Sequence, residues 1–441
     1  MFKRALAISM AFTGVIVGAG FASGQEAIQY FVTFGTKGIL GVLLSSTLMI
    51  VVGVSLLQLG SYYQAREHMN VLSNISNQAL AWILDIATIV SLFSFGFVMF
   101  AGGGSNLNQQ FGLPVWAGAL ILLILVLITG MLDVDKVSAV IGAITPFVIL
   151  FIVGVTVYTL MTSQWSIAEL NVATQEIERS AALPNWWLAA INYTGMNVMI
   201  SVSMAIVIGG NFVDTKAAGY GGMLGGFFYL LMLLLLVIAL FLQVETVNGT
   251  AMPVLTLINE IHPALGVAMT FVIFGMIFNT AIAMFFALGK RLTRKRRSLY
   301  RPVFITACLI GFALSFVGFQ SLVAYLYPVL GYLGILMIVV LSTAWLRGGS
   351  KLRAEGRRRA RALALTQRKL DPRLRFSKRN ERELAKLTKD SNIEDAVLAE
   401  HLEEEIHDQL EADDDLPDYD RTDVSNPVTY VEHTEPTARE S

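Results

Sequence analysis

The chain has 441 residues, of which 55% are hydrophobic and only 15% charged, and its mean hydropathy is +0.61. Soluble domains carry about 25% charged residues, so this composition excludes an ordinary soluble globular protein. The formal net charge of −1 conceals an asymmetry: 16 of the 32 Lys and Arg fall between Arg347 and Lys389, and 18 of the 33 Asp and Glu lie from Asp390 onward.

A bilayer span needs ~20 mostly apolar residues, and ten such segments follow one another in the sequence. Their approximate limits are 5–33, 38–60, 80–104, 113–131, 137–161, 185–210, 217–242, 264–289, 302–319 and 322–346. Lys3 and Arg4 followed by an apolar run to Ala22-Ser23 have the outline of a signal peptide. The run continues to about Phe34, however, and many spans follow, so a retained first helix is expected. Residues 251–261 are too short to span and predict a surface or re-entrant helix. The single Cys308 lies in an apolar run, which leaves no disulfide framework or cysteine metal site within one chain.

Basic residues in short loops set orientation. With the N-terminus inside, the cytoplasmic side receives Lys3, Arg4, Arg66, Lys136, Lys216 and the cluster from Lys290 to Arg301, while the other side receives only Lys37 and Arg179. Ten spans return the basic tail to the cytoplasm, so both termini are expected there, in a bacterial inner membrane.

Several landmarks recur in order in the two halves. Phe12-Thr13-Gly14 in the first span matches Tyr193-Thr194-Gly195 in the sixth. Phe95 to Phe100 in the third resembles Phe274 to Asn279 in the eighth, Pro114 and Pro302 open the fourth and ninth, and Pro146 and Pro328 sit in the fifth and tenth. Five spans per half would make the halves a 5+5 inverted repeat; a bundle without internal symmetry is the alternative.

The first span carries Gly14, Gly18, Gly20 and Gly24 across its middle. Each glycine weakens a helix by about 1 kcal/mol relative to alanine. Broken backbone is tolerated in lipid only where it faces protein or a wet cavity. A break here would free carbonyls for a cation and present a half-helix N-terminus to an anionic group. Close helix packing through Gly18, Ala19 and Gly24 is the competing explanation. Glu26 favours the break, because a carboxylate within a span is costly and marks function by default.

The sixth span repeats the polar theme with Asn192, Tyr193, Thr194, Gly195, Asn197, Ser201 and Ser203, suited either to a cavity lining or to interhelical hydrogen bonds. Asn279 and Thr280 in the eighth offer oxygen ligands for a hard cation such as Na⁺. Asp85, near the cytoplasmic start of the third span, predicts a surface or gating ion pair. No H-E-x-x-H, G-x-x-x-x-G-K-[ST] or G-x-S-x-G motif occurs, and the five His are scattered in loops and tail, so an enzyme or primary pump is not expected.

The run GVIVGAGFASGQEAIQYF, from Gly14 to Phe31, resembles the start of the YkvI-type family of bacterial membrane proteins. That family is similar to a distant branch of the amino acid–polyamine–cation transporter superfamily with the LeuT-like fold. The resemblance implies an all-α integral membrane protein with discontinuous helices 1 and 6 and a central substrate site. It carries substrate binding to Gly18, Ala19, Gly20, Ser23, Gly24, Gln25 and Glu26, and to Asn192, Thr194, Gly195 and Asn197. It implies cation coupling through the eighth helix, with Glu26, Asn279 and Thr280 as ion-coupling residues and a Na⁺ site at Val17, Gly18, Asn279 and Thr280. A sodium-coupled relative would favour paired hydroxyls where Asn279-Thr280 stand, so Na⁺ and H⁺ both stay open. No resident cofactor is expected.

The transmembrane domain is expected over 1–346, and 347–441 as a cytoplasmic tail, basic then acidic and largely disordered. Its basic stretch is expected along the membrane surface, in contact with anionic lipid. Within it, Ile393, Val397, Leu398, Leu402, Ile406 and Leu410 recur at helical spacing and predict a helix over 393–411. The expected activity is alternating-access transport of a small polar solute, an amino acid or related amine, with no nucleic-acid partner. A transporter-like sensor signalling through its tail is the alternative.

Overall fold

The computed structural model describes residues 2–131, 145–162, 166–177, 181–416, 419–421 and 430–431. Their regular secondary structure is helical apart from a two-residue parallel ladder of Phe376–Ser377 with Tyr430–Val431. The first apolar segment is in three pieces: α1 (Phe2–Ile16), α2 (Ala19–Ser23) and α3 (Gln25–Tyr30). There follow α4 (Thr36–Tyr63), α5 (His68–Ile75), α6 (Gln78–Phe111), α7 (Val115–Gly130), α8 (Thr145–Thr162) and α9 (Ile167–Ile177). The second half has α10 (Trp186–Gly210), α11 (Thr215–Leu242), α12 (Pro253–Ile261), α13 (Pro263–Leu292), α14 (Tyr300–Leu314) and α15 (Phe319–Leu370). Two tail helices close the chain, α16 (Lys378–Lys389) and α17 (Asp395–Glu411).

Among the described residues, seven helices are long and apolar enough to cross a membrane, or eight if the bent pair Ile149–Thr162 and Ile167–Thr174 is one span. The ten expected segments therefore do not all appear as full-length helices. The first is broken, the fourth is the 16-residue α7, and the fifth is described only from Thr145, its start and Lys136 lying outside the described residues. Arg179 lies outside them too. Large apolar side chains such as Trp82, Leu150, Met161 and Tyr325 are exposed around the bundle, a surface that suits lipid and not water. The chain is a multi-pass membrane protein.

Helix α4 packs against both α10 and α11, and α1 lies on α11. Glycine permits these crossings: a side chain at Gly209 of α10 would overlap the Leu57 carbonyl of α4. The same use of glycine corrects an expectation. Helix α10 runs unbroken from Trp186 to Gly210, so the sixth segment is not discontinuous. A methyl at Gly195 would overlap the Gly331 carbonyl of α15, and one at Gly334 would overlap the Gly195 carbonyl. Gly195 brings two backbones together and leaves its own helix intact. The short α12 connects spans as a separate element, as expected for residues 251–261.

The tail also departs from expectation. Helix α15 crosses position 347 without a break and spans 52 residues. At 1.5 Å per residue it is about 78 Å long, well beyond a hydrocarbon core of about 30 Å. Its basic part therefore continues the membrane helix outward and does not lie as a separate surface strip. Most of residues 347–416 are helical, and α16 and α17 fold back on α15. Leu398, Leu402, Ile406 and Leu410 of α17 are buried, the stripe that the helical spacing predicts.

Candidate functional site

The site begins with the first break. The Gly18 amide donates to the Ile16 carbonyl at 2.9 Å instead of to Gly14, which ends α1. Gly18 is extended (φ −100°, ψ −165°), and α2 restarts at Ala19. A second break follows at Gly24, whose φ of +81° suits glycine and costs another residue about 1–2 kcal/mol. These two turns aim Glu26, in the first turn of α3, back over α2. Gly20 supplies the room: a methyl there would overlap the Glu26 carboxylate.

Glu26 is buried, and it accepts a hydrogen bond from the Tyr193 hydroxyl of α10 at 3.1 Å (Oε2). Tyr193 is fixed by ring contacts to Tyr30 and Phe31, with centroids 5.2 and 5.1 Å away. A carboxylate at such depth costs about 3 kcal/mol on insertion, so one partner does not account for its presence.

Glu26 opens onto a cavity of about 630 Å³ that also exposes Val17, Gly18, Ala19, Gly20, Asn197, Asn279 and Thr280. The Asn197 side-chain amide donates to the Tyr193 carbonyl at 2.9 Å. A methyl built on Gly18 would stand 3.7 Å from the Thr280 hydroxyl, so the break and α13 lie side by side, within ordinary contact distance of an added methyl. Apolar walls come from Phe95, Met99, Met276 and Tyr327, and Phe95 and Tyr327 are in ring contact at 5.2 Å. Met10 and Met204, both about half exposed, lie at the rim on the side of the α1 N-terminus. Among the lining residues no Lys, Arg or His occurs.

Other expected site residues lie elsewhere. Ser23 donates to the Gly20 carbonyl, and Gly24 is a turn packed near Val254. Gln25 faces a different hollow, beside Gln29 and Gln320. Asn192 donates to the Pro328 carbonyl at 2.9 Å and Thr194 meets Ser45 at 2.9 Å, so both hold helices together. Gly195 lies at the α10–α15 crossing. Five of these six sit in the packing around the central cavity, and Gln25 lines the other hollow. Tyr193 lay in the polar run of the sixth segment but was not among the expected binding residues. Phe95, Met99, Met276 and Tyr327 gave no signal, since apolar residues are ordinary in membrane helices. Asp85 forms the expected ion pair: Arg291 Nη2 lies 2.6 Å from its Oδ1, and His68 lies 3.3 Å away.

A multi-pass helical bundle with a central cavity at a twice-broken first helix is the class that fold and site define. No protein-family model matches the chain. It is similar to two proteins of Bacillus subtilis (strain 168). The membrane protein YkvI is 23% identical over 338 residues, covering 75% of this chain and 93% of YkvI. YyaD is 25% identical over 328 residues, covering 74% and 93%. Among solved structures, MhsT in complex with L-phenylalanine matches with a TM-score of 0.55 at 13% identity, covering 90% of this chain and 98% of MhsT. The chain is thus similar in sequence to YkvI and YyaD, and its fold resembles that of MhsT.

Proposed function

We propose that this chain is a secondary transporter, not an enzyme, and that it moves an amino acid or related amine by alternating access. The observation that carries the reading is the cavity itself: a buried carboxylate, broken backbone and Asn197 on one side, and an apolar wall on the other. An ammonium group would meet Glu26, and an apolar body would rest on Phe95, Met99, Met276 and Tyr327. L-Phenylalanine, held by the similarly folded MhsT, has both parts. Val17, Gly18, Asn279 and Thr280 form the place for Na⁺ as co-substrate, and Glu26 is the group for H⁺.

The full layout in this reading is ten membrane segments in a 5+5 inverted repeat. It draws support from the matched runs Phe95–Phe100 and Phe274–Asn279, which both contribute to the cavity wall. Both termini lie in the cytoplasm of a bacterial inner membrane by the positive-inside rule, and the Met10–Met204 rim then faces inward. A solute screen in proteoliposomes with separate Na⁺ and pH gradients tests the reading. Coupled uptake should appear with one gradient, and Glu26→Gln should abolish it or remove its pH dependence while the protein stays folded. Unaltered uptake and pH response in that variant would exclude Glu26 as the coupling residue.

A second reading, a sensor that signals through its tail, is favoured by the docking of α16 and α17 on the bundle. Undocking the tail separates the two: a transporter still moves solute, whereas a sensor loses its output.

A further inference from the structure

A second cavity, of about 780 Å³, lies where α15 leaves the apolar zone, between α15 and the ends of α4 and α5. It runs along α15 from Val339 to Lys351, about 18 Å at 1.5 Å per residue. Its deep end holds Leu80, Val339 and Val340. Its outer end holds Arg347 and Lys351, which are four residues apart and so share one helix face. Tyr62 and Tyr63 form an edge-to-face pair in its wall, at 4.9 Å and 89°. Amphipathic rings of this kind favour the membrane–water boundary. No acidic side chain lines the cleft.

The basic residues of α15 divide into those paired with acidic side chains and those, Arg347, Lys351, Arg353, Arg357 and Arg368, that form no ion pair among the described residues; of the latter, Arg347 and Lys351 are the two that line this cleft. Arg358 and Arg359 pair with Glu355, Arg361 with Glu383, Lys369 with Glu403, and Arg373 with Asp371 and Asp413. Among the described residues, neither Arg347 nor Lys351 has an acidic partner within the protein. A cationic outer end, with Leu80, Val339 and Val340 among polar neighbours such as Ser76 and Thr343 further in, fits an amphiphile with a negative head and a hydrocarbon tail. Basic residues at a leaflet surface attract anionic lipid by about 1 kcal/mol each.

We propose that this cleft binds an anionic phospholipid, its phosphate between Arg347 and Lys351 and an acyl chain against Leu80, Val339 and Val340. The tail contributes to the site, because Asn392 lines it while donating to the Tyr62 carbonyl at 2.8 Å and accepting from Arg359 at 2.8 Å. The proposal is independent of any transported solute.

Native mass spectrometry of the full chain, released from nanodiscs of phosphatidylcholine with phosphatidylglycerol, tests it. The wild type should retain phosphatidylglycerol over phosphatidylcholine by about tenfold. The double variant Arg347→Gln/Lys351→Gln should lose that preference and keep its thermal unfolding in phosphatidylcholine alone. Arg353→Gln/Arg357→Gln, with the same charge loss elsewhere on α15, should retain it. Equal retention by the first variant, or equal loss by the second, would overturn the site in favour of none or of diffuse attraction. Displacement of the lipid by millimolar inorganic phosphate would overturn it in favour of a soluble anion.

Discussion

The first and last apolar segments are both rich in glycine, yet one is in three pieces and the other is a single helix of 52 residues. The first carries Gly14, Gly18, Gly20 and Gly24; α15 carries Gly331, Gly334, Gly348, Gly349 and Gly356, and Pro328 besides. What lies opposite decides the outcome. Gly18 and Gly20 face a cavity and a carboxylate, so backbone there turns toward ligand space. Gly331 and Gly334 press on the α10 backbone at Gly195, where any turn would pull two helices apart. Glycine lowers the cost of bending, and the surroundings determine whether bending occurs.

The outer half of α15 is held by a further device. Arg359 is fully buried and donates to the Ser61 and Tyr62 carbonyls at 2.7 Å, to Asn392 at 2.8 Å and to Glu355 at 2.8 Å. It thereby ties α15 to the end of α4 and to the loop before α17, whose His401 meets Gln64 at 2.6 Å. The largest expected effect follows from this. Arg359→Met takes one of three partners from Glu355, which keeps Arg358 and Ser391, and strips the Ser61 and Tyr62 carbonyls of their donor, a loss of about 3 kcal/mol or more. Amide hydrogen exchange should then rise across α16 and α17 while α2 and α3 are unaffected. Unchanged protection in the tail would show that it docks by its apolar stripe alone. Arg359→Lys should fall between, since an ammonium lacks the guanidinium fork that reaches two carbonyls and an amide at once.

Glycine-to-alanine exchanges probe the comparison more finely. Gly195→Ala should cost about 1–3 kcal/mol, because its methyl meets backbone on α15 that has nowhere to go. Gly18→Ala should change stability by less than about 0.5 kcal/mol, because its methyl makes only ordinary contact, 3.7 Å from Thr280, and overlaps nothing. Thermal unfolding in one detergent measures both. Equal losses would mean that the first break is as tightly enclosed as the α10–α15 crossing.

The same distinction explains what the sequence could reveal. Apolar length is sufficient to locate the seven helices long enough to cross a membrane, and Glu26 beside clustered glycines points to the first break. The α17 stripe was legible because its buried positions repeat at helical spacing. The sixth segment misled, since Gly195 among Asn192, Thr194 and Asn197 has the same local composition as a break. Only its distant partners Gly331 and Pro328 assign those residues to packing. Arg359 was equally opaque: within the run Arg357-Arg358-Arg359 nothing local marks the one that is buried, because its acceptors lie nearly 300 residues earlier.

The smallest expected effect concerns the pH dependence of tail docking, where two glutamates act with opposite sign. Burial pushes the Glu405 carboxyl of α17 up, Asp214 and Asp408 add to this, and its ion pair with Arg4 only partly offsets the rise. Its folded form binds a proton more tightly than the unfolded chain does. Docking should therefore strengthen as pH falls from neutral toward the ordinary glutamate range. Burial would likewise raise Glu355, but hydrogen bonds from Ser391, Arg359 and Arg358 outweigh it and hold the carboxyl below that range. Its contribution is present above the ordinary range and is lost as pH falls below it. Limited proteolysis of the 371–377 loop across pH should thus show greatest protection on the acidic side of neutral, with protection falling again at lower pH. Glu405→Gln should flatten the neutral limb, and Glu355→Gln should remove the acidic one. A tail whose protection is level with pH, in a variant that keeps both glutamates, would mean that neither carboxylate titrates across docking and that Arg359 holds the outer helix through its carbonyl acceptors.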